Sequence, residues 1–268
     1  MAVASSPGER KALLFIAGGT RLALRLSQVR EILAVAPGDG DVEVRGASMP
    51  ALPVAVALGL PGGPTRFAIV TEAAPPVALK VEAVQGIVDL SSAEVFQLPA
   101  RTRLPQPSPF VGALVYGGEV ALELAVASLG WAPIEPATEL PAPPPDLELP
   151  TGRELLFNRF GRTYSVPLQL LARVLEAPRV VPVPLTPAAH RGILYHGRAI
   201  HPVFDIGALY GGGGGRPVDA ADDSAATALL VDAGGYAIAV LADRVLSAAE
   251  PTPGEVARPS WDLLFAPA

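Results

Sequence analysis

The chain contains one unit written twice, and this duplication restricts its possible folds more than any other feature. The stretch KALLFIAGGTRLALRLSQVREIL (Lys11 to Leu33) aligns without a gap with RELLFNRFGRTYSVPLQLLARVL (Arg153 to Leu175). Further matches follow in the same order: the segment around Pro50 with the segment around Pro202, then RFAIV with TALLV and VEAV with ADRV. Because self-similarity at this scale indicates repeated structural units, we expect two homologous domains.

Each copy opens with the pattern of a β-hairpin. An apolar run, a glycine-containing turn and a second alternating run predict two paired strands. The residues that follow, Ser27 to Leu33 and Gln169 to Leu175, predict a short helix in each copy. The 27 glycines and 30 prolines favour frequent turns over long helices. The predicted fold class is therefore all-β with a few short helices.

A proline-rich segment separates the copies. Trp131 to Pro150 holds seven prolines, a composition that favours extended polyproline II and cannot continue a sheet. We therefore predict a first domain at residues 10–132, a linker at 133–152 and a second domain at 153–268.

The two copies differ at their ends. Phe110 to Gly130 reads as a hairpin followed by a short helix, and at the spacing of the repeat the second copy stops before the equivalent segment. Either the second domain is shortened at its C-terminus, or another element covers the open sheet edge. The terminal residues Trp261, Leu263, Leu264 and Phe265 are candidates for that cover, and a docking peptide is the alternative.

Composition excludes several classes of partner. The formal net charge is −6, and lysine and arginine form no cluster, so nucleic acid and anionic membranes are poor partners. The absence of cysteine removes disulfides and thiolate chemistry and fits a cytoplasmic protein. The apolar stretch from Ala51 to Leu60 is well short of the roughly 18–20 residues that a membrane span needs. Contacts with proteins or small ligands remain.

Catalytic patterns are also missing from the sequence. It holds neither G-x-S-x-G nor H-E-x-x-H, and no Lys-Ser or Lys-Thr follows the glycine run at Gly211 to Gly215. His190, His196 and His201 fall within 12 residues and precede Asp205, which invites a metal site. Because His196 and His201 are five residues apart, they face opposite sides of a continuous strand. We predict no enzyme activity, no metal and no cofactor.

The order of short motifs resembles the CheW-type coupling domain of bacterial chemotaxis. The first copy carries Val29, Glu31 and Ile32 in a V-x-E-I pattern, then Arg45, Gly46 and Pro50, a strand ending at Leu58 and Gly59, and VEAV at Val81 to Val84. The second copy is patchier. It has Arg173 in place of the glutamate and His196 in place of the arginine, with Gly197 and Pro202 one residue further apart than the family pattern.

The resemblance implies two small SH3-like β-barrels per copy and a non-enzymatic role. It also implies three kinds of partner: the cytoplasmic tip of a chemoreceptor, the regulatory domain of a chemotaxis-type histidine kinase, and other CheW-like proteins. Localisation would then be cytoplasmic, at receptor clusters beside the inner membrane. The resemblance places the following residues at partner surfaces: Val29, Glu31, Ile32, Arg45, Gly46, Asp205 and Asp243.

The leading hypothesis is therefore a tandem scaffold that joins chemoreceptors to a histidine kinase. Two alternatives belong to other classes: a regulatory decoy that binds the kinase and limits assembly, and a β protein that senses a ligand or metal through the histidines.

Overall fold

Strands make up nearly all of the regular structure. The computed structural model describes residues 10–36, 40–99, 102, 104–130, 134–137, 154–210, 227–232, 236–246, 256–259 and 261. The chain divides into two units, Met1–Leu98 with Leu104–Pro136, and Pro99–Arg103 with Ala137–Ala268. Most of the predicted linker, residues 138–152, lies outside the described residues.

The first unit contains two main sheets and a separate hairpin. Its elements are β1 (Lys11–Ala17), β2 (Thr20–Arg25), β3 (Val29–Ala34), β4 (Val42–Val44), β5 (Ala47–Met49), β6 (Ala51–Pro53), α1 (Val54–Ala57), β7 (Phe67–Thr71), β8 (Ala78–Val81), β9 (Ala83–Asp89), β10 (Glu94–Phe96), β11 (Phe110–Tyr116) and β12 (Glu119–Leu124). One sheet has the order β10-β11-β12-β2-β1-β9 and the other the order β3-β7-β8-β6. The strands β4 and β5 form the hairpin.

The second unit also contains two sheets. Its elements are β13 (Glu154–Arg159), β14 (Arg162–Pro167), β15 (Leu171–Leu175), β16 (Val180–Val181), β17 (His190–His196), β18 (Ala199–Phe204), α2 (Ile206–Leu209), β19 (Thr227–Asp232), β20 (Ala237–Ala242), β21 (Arg244–Leu246) and β22 (Val256–Ala257). The sheet orders are β21-β13-β14-β22 and β15-β19-β20-β18-β17-β16. The predicted all-β class with a few short helices is confirmed.

The helices predicted after the opening hairpins are wrong. In the first copy, Leu26–Gln28 forms one 3₁₀ turn and the chain continues as β3, which pairs with β7. In the second copy, β15 pairs with β19 in the same way. Buried and exposed positions alternate along β3, as they do on a strand with one covered face. Pairing with a distant strand thus outweighs the local pattern.

Apolar side chains from paired strands form the cores. In the second unit one cluster joins both sheets and includes Phe157 and Tyr164 from the first sheet and Val231 and Ile238 from the second, all fully buried. The rings of Phe157 and Tyr164 stack with centroids 5.7 Å apart. These positions are the apolar ones of the alternating runs, because a strand presents every second side chain to the same face.

The difference between the two copies lies inside the second domain. In the first copy β12 pairs in parallel with β2, with Leu122 opposite Leu22. In the second copy β22 pairs in parallel with β14, with Ala257 opposite Tyr164, which is the equivalent of Leu22. The strand β22 therefore occupies the place of β12.

The shortening consequently falls between β21 and β22 and not at the C-terminal end of the copy. Between these strands the described residues contain no counterpart of β10 or β11. Trp261 is 7% exposed and packs in the core cluster beside Ala257, so another element covers the edge, as one of the two sequence-based alternatives expects. Leu263, Leu264 and Phe265 lie outside the described residues.

Candidate partner-binding surface

Strand β3 carries three of the residues predicted to bind partners. A β-bulge between Val29 and Glu31 shifts its register against β7. Bulges reorient a side chain relative to the regular strand. Val29 and Glu31 are half-buried, whereas Ile32 is 37% exposed and faces solvent.

The hairpin of β4 and β5 carries the other two predicted residues of the first copy. Arg45 and Gly46 form its two-residue turn, with φ angles of 53° and 83°. Two consecutive positive φ angles are the pattern of a type I′ turn, whose twist matches the flanking strands. Glycine adopts this conformation readily, while an arginine there is uncommon. The turn fixes Arg45 at the tip of the hairpin.

The fold brings Glu31 and Arg45 together although 14 residues separate them. Arg45 Nε lies 3.2 Å from Glu31 Oε1, and the Arg45 side chain is 70% exposed while that of Glu31 is 19% exposed. An exposed ion pair of this kind contributes only about 0.2–1 kcal/mol to stability. The pair is therefore an accessible charged feature that the fold does not depend on.

Asp243 makes structural contacts. Asp243 Oδ2 accepts a hydrogen bond from the Phe160 backbone N–H at 2.7 Å, and Oδ1 accepts from Arg159 Nη1 at 2.7 Å. Its counterpart Glu82 accepts from the Gly18 backbone N–H at 2.8 Å. In each copy this carboxylate thus holds the turn of the opening hairpin. Its place in the V-D/E-x-V motif was the only sequence signal of this role. The Asp243 side chain is 42% exposed.

Asp205 is fully buried, so no surface of it is available to a partner. It caps α2 by accepting from the Ala208 backbone N–H. Arg159 donates to it at 3.1 and 2.6 Å, and Arg191 donates at 3.1 and 2.8 Å. We therefore assign Asp205 a role in holding the two sheets of the second copy together. The contributions of Arg159 and Arg191 escaped the sequence analysis, because no motif links positions so far apart.

The protonation of this cluster follows from its contacts. Burial alone would raise the pKa of Asp205, but hydrogen bonds and the positive charges of Arg159 and Arg191 outweigh burial and hold that pKa below its usual value. Burial would likewise lower the pKa of Arg159, but the hydrogen bonds and charges of Asp205 and Asp243 raise it. The carboxylates and guanidinium groups therefore stay charged around neutral pH.

Comparison with protein families decides what kind of domain carries these features. The model of the CheW-like domain matches residues 11–130 and 154–261. The chain belongs to the CheW-like family. A structure of the scaffolding protein TtCheW from Thermoanaerobacter tengcongensis is similar with a TM-score of 0.39 and 15% identity, over 47% of this chain and 90% of that chain. No curated protein matches the sequence.

The CheW-like domains occur in tandem, and each contains two sheets. This confirms the resemblance inferred from the order of the motifs. CheW-family proteins are non-catalytic adaptors. None of the helices in the described part of the chain has the length and apolar character needed to cross a membrane.

The three histidines of the second CheW-like domain lie in different environments. His190 is buried with its ring edge-on to Phe204 at 5.2 Å, whereas the His201 ring lies 3.3 Å from the carbonyl oxygens of Ala237 and His196. Among the described residues, no group of three or more histidine, aspartate or glutamate side chains is placed to hold a metal ion.

The second domain also has a different turn from the one that the sequence alignment indicated. The strands β17 and β18 are joined by Gly197 and Arg198, with φ angles of 60° and 62°. Arg198, and not His196, is therefore the arginine of this two-residue turn. The turn reads Gly-Arg where the first domain reads Arg-Gly, and with this register the spacing to Pro202 equals that from Arg45 to Pro50.

Proposed function

We propose that this protein is a non-enzymatic coupling scaffold that joins chemoreceptors to a chemotaxis-type histidine kinase. The observation that carries the proposal is the presence of two CheW-like domains, of which the first keeps the exposed pair of Glu31 and Arg45. The partners in this proposal are the cytoplasmic tip of the receptor, the regulatory domain of the kinase, and other CheW-like proteins. The protein would act in the cytoplasm at receptor clusters.

The geometry of the first domain supports a binding role for the following residues: Val29, Glu31, Ile32, Arg45 and Gly46. A planar guanidinium such as that of Arg45 donates to two acceptors at once, and arginine is common among residues that dominate binding energy. Ile32 adds exposed apolar area on the same strand as Glu31. A small charged and apolar surface on rigid strands suits a contact that is made and broken without refolding.

Duplication supports the scaffold role. Two tethered modules give an effective concentration that a single module lacks, so a tandem protein holds two partners together more efficiently than separate domains do. The two domains also differ at the surface of Glu31 and Arg45, which favours unequal roles.

The substitutions Glu31→Ala and Arg45→Ala are expected to weaken binding of the first domain by about tenfold or more, which corresponds to about 1.4 kcal/mol. Stability is expected to change by no more than about 1 kcal/mol, because the pair is exposed. Binding is measured by titration calorimetry, with the kinase regulatory domain and the receptor tip from the same source as separate probes.

A second exposed ion pair provides the matched control. Arg21 Nη1 lies 3.9 Å from Glu119 Oε2 on the other sheet of the first domain, and both side chains are partly exposed. The double variant R21A/E119A is expected to bind as wild type does. Unchanged affinity of E31A and R45A for both probes would contradict the assigned surface, and binding of the kinase domain without the receptor tip would favour the regulatory decoy.

A further inference from the structure

The second domain carries the opposite charge at the position of Glu31. The strand β15 has a β-bulge between Leu171 and Arg173, and β3 has one between Val29 and Glu31. The two bulges are the same distance into equivalent strands, so Arg173 is the structural counterpart of Glu31. Arg173 is exposed on this strand. A carboxylate in one domain is thus replaced by a guanidinium in the other.

The contact made by Arg173 leaves its charge uncompensated. Its Nη1 lies 3.3 Å from Nε2 of His196, at the end of β17. An imidazole nitrogen that accepts a hydrogen bond carries no negative charge, unlike the Glu31 carboxylate beside Arg45. Within the described ranges, no carboxylate lies within ion-pair distance of Arg173.

A second arginine belongs to the same hairpin. Arg198 is exposed and follows His196 by two residues in the turn between β17 and β18. Its positive φ of 62° fixes the backbone at the tip of the hairpin, as Arg45 is fixed in the first domain. The first domain therefore presents a balanced pair, and the second presents two arginines and a histidine, which we call the basic face (Arg173, His196 and Arg198).

We infer that the basic face is a docking surface for an acidic protein segment, distinct from the partner surface of the first domain. Two guanidinium groups offer forked donors that match the geometry of carboxylates. A partner that fits the pair of Glu31 and Arg45 would place its own cation against Arg173, and juxtaposed like charges oppose binding. The tandem protein therefore joins two chemically different partners, whatever the first domain binds.

Charge also argues for a protein and against nucleic acid as the occupant. The formal net charge of the chain is −6, and the basic face holds two permanent cations in place of a stripe that follows a phosphate backbone. A few carboxylates on a peptide are enough to neutralise such a face.

The test uses the full chain, labelled with ¹⁵N, and the peptide hexaglutamate at low ionic strength. We expect saturable shifts of the backbone amides in β15 and in residues 196–199. The double variant R173E/R198E is expected to weaken this binding at least tenfold, while hexalysine causes no saturable shift there. Spectra of the free variant establish that its fold is unchanged.

A matched variant and a second probe make the test decisive. R30E/R66E alters two exposed arginines of the first domain by the same total charge and is expected to bind hexaglutamate as wild type does. Equal weakening by both double variants, or no saturable shift at the basic face, would overturn the inference. Tighter binding of a thymidine hexanucleotide than of hexaglutamate would also overturn it, because the face would then select phosphate.

Discussion

Replacing Asp205 with alanine is expected to lower the free energy of unfolding of the second domain by about 3–5 kcal/mol. The carboxylate has no exposed surface and is the hydrogen-bonding and charge partner of both Arg159 and Arg191, whose side chains are 4% and 13% exposed. Removing it leaves buried positive charge without compensation and also removes the cap of α2. The loss exceeds that of an ordinary surface substitution several-fold.

The measurement is a urea titration followed by the fluorescence of Trp261. The chain has two tryptophans, so a Trp131→Phe background makes Trp261 the only reporter, and this residue packs in the core of the second domain. Glu176→Ala, an exposed acidic residue of the same domain, is the control and is expected to change stability by less than about 0.5 kcal/mol. A loss below about 1 kcal/mol for D205A would contradict the role assigned to the cluster.

The same cluster predicts how stability depends on pH. Because the pKa of Asp205 is lowered in the folded protein, its stabilising contribution is complete above the unfolded carboxyl pKa of about 4 and is lost as pH falls through the folded value. The difference in urea midpoint between wild type and D205N is therefore expected to shrink as pH falls from neutral to below about 4. A difference that stays constant would show that Asp205 does not titrate as this network requires.

Replacing Trp261 with alanine is expected to destabilise the second domain by about 3–5 kcal/mol, because an indole is removed from a packed core. Trp261 is 7% exposed and lies in the cluster that includes Phe157, Tyr164 and Ala257. It directly follows β22, the strand that occupies the place of β12. The substitution is therefore expected to loosen the parallel pairing of β22 with β14 as well.

Hydrogen exchange measured by mass spectrometry separates this effect from any effect on the first domain. In W261A we expect faster exchange in β13 and β14, with unchanged exchange in β1 and β2. The control is Trp261→Phe, which keeps an aromatic ring and is expected to retain most of the protection. Wild-type protection of β13 and β14 in W261A would show that the tail does not hold this edge of the sheet.

The strands that begin each domain were predictable from the sequence, because short-range alternation and turn glycines determine a hairpin. The strands β3 and β15 were mistaken for helices, since their pairing partners β7 and β19 lie about 40 to 60 residues away and leave no local signal. The place of β22 was unpredictable for the same reason, as its two paired residues carry no pattern of their own.

The candidate surface was partly predictable. The motif order indicated Glu31 and Arg45 as separate residues, and only the fold places their charged groups 3.2 Å apart. The predicted role of Asp205 at a partner surface does not fit its complete burial between two arginines. Arg198 was missed because a type I′ turn accepts an arginine at either central position only at some cost, so the sequence favoured pairing each glycine with the residue before it.

The most direct test of a coupling role asks whether the protein bridges its two proposed partners. Vesicles that carry the receptor are mixed with the histidine kinase and sedimented with and without this protein. We predict that the kinase sediments with the vesicles only when the wild-type chain is present, and that E31A and R45A reduce this fraction while R21A/E119A does not. Sedimentation of the kinase that is the same with and without the protein, or that is lowered by it, would contradict the coupling role.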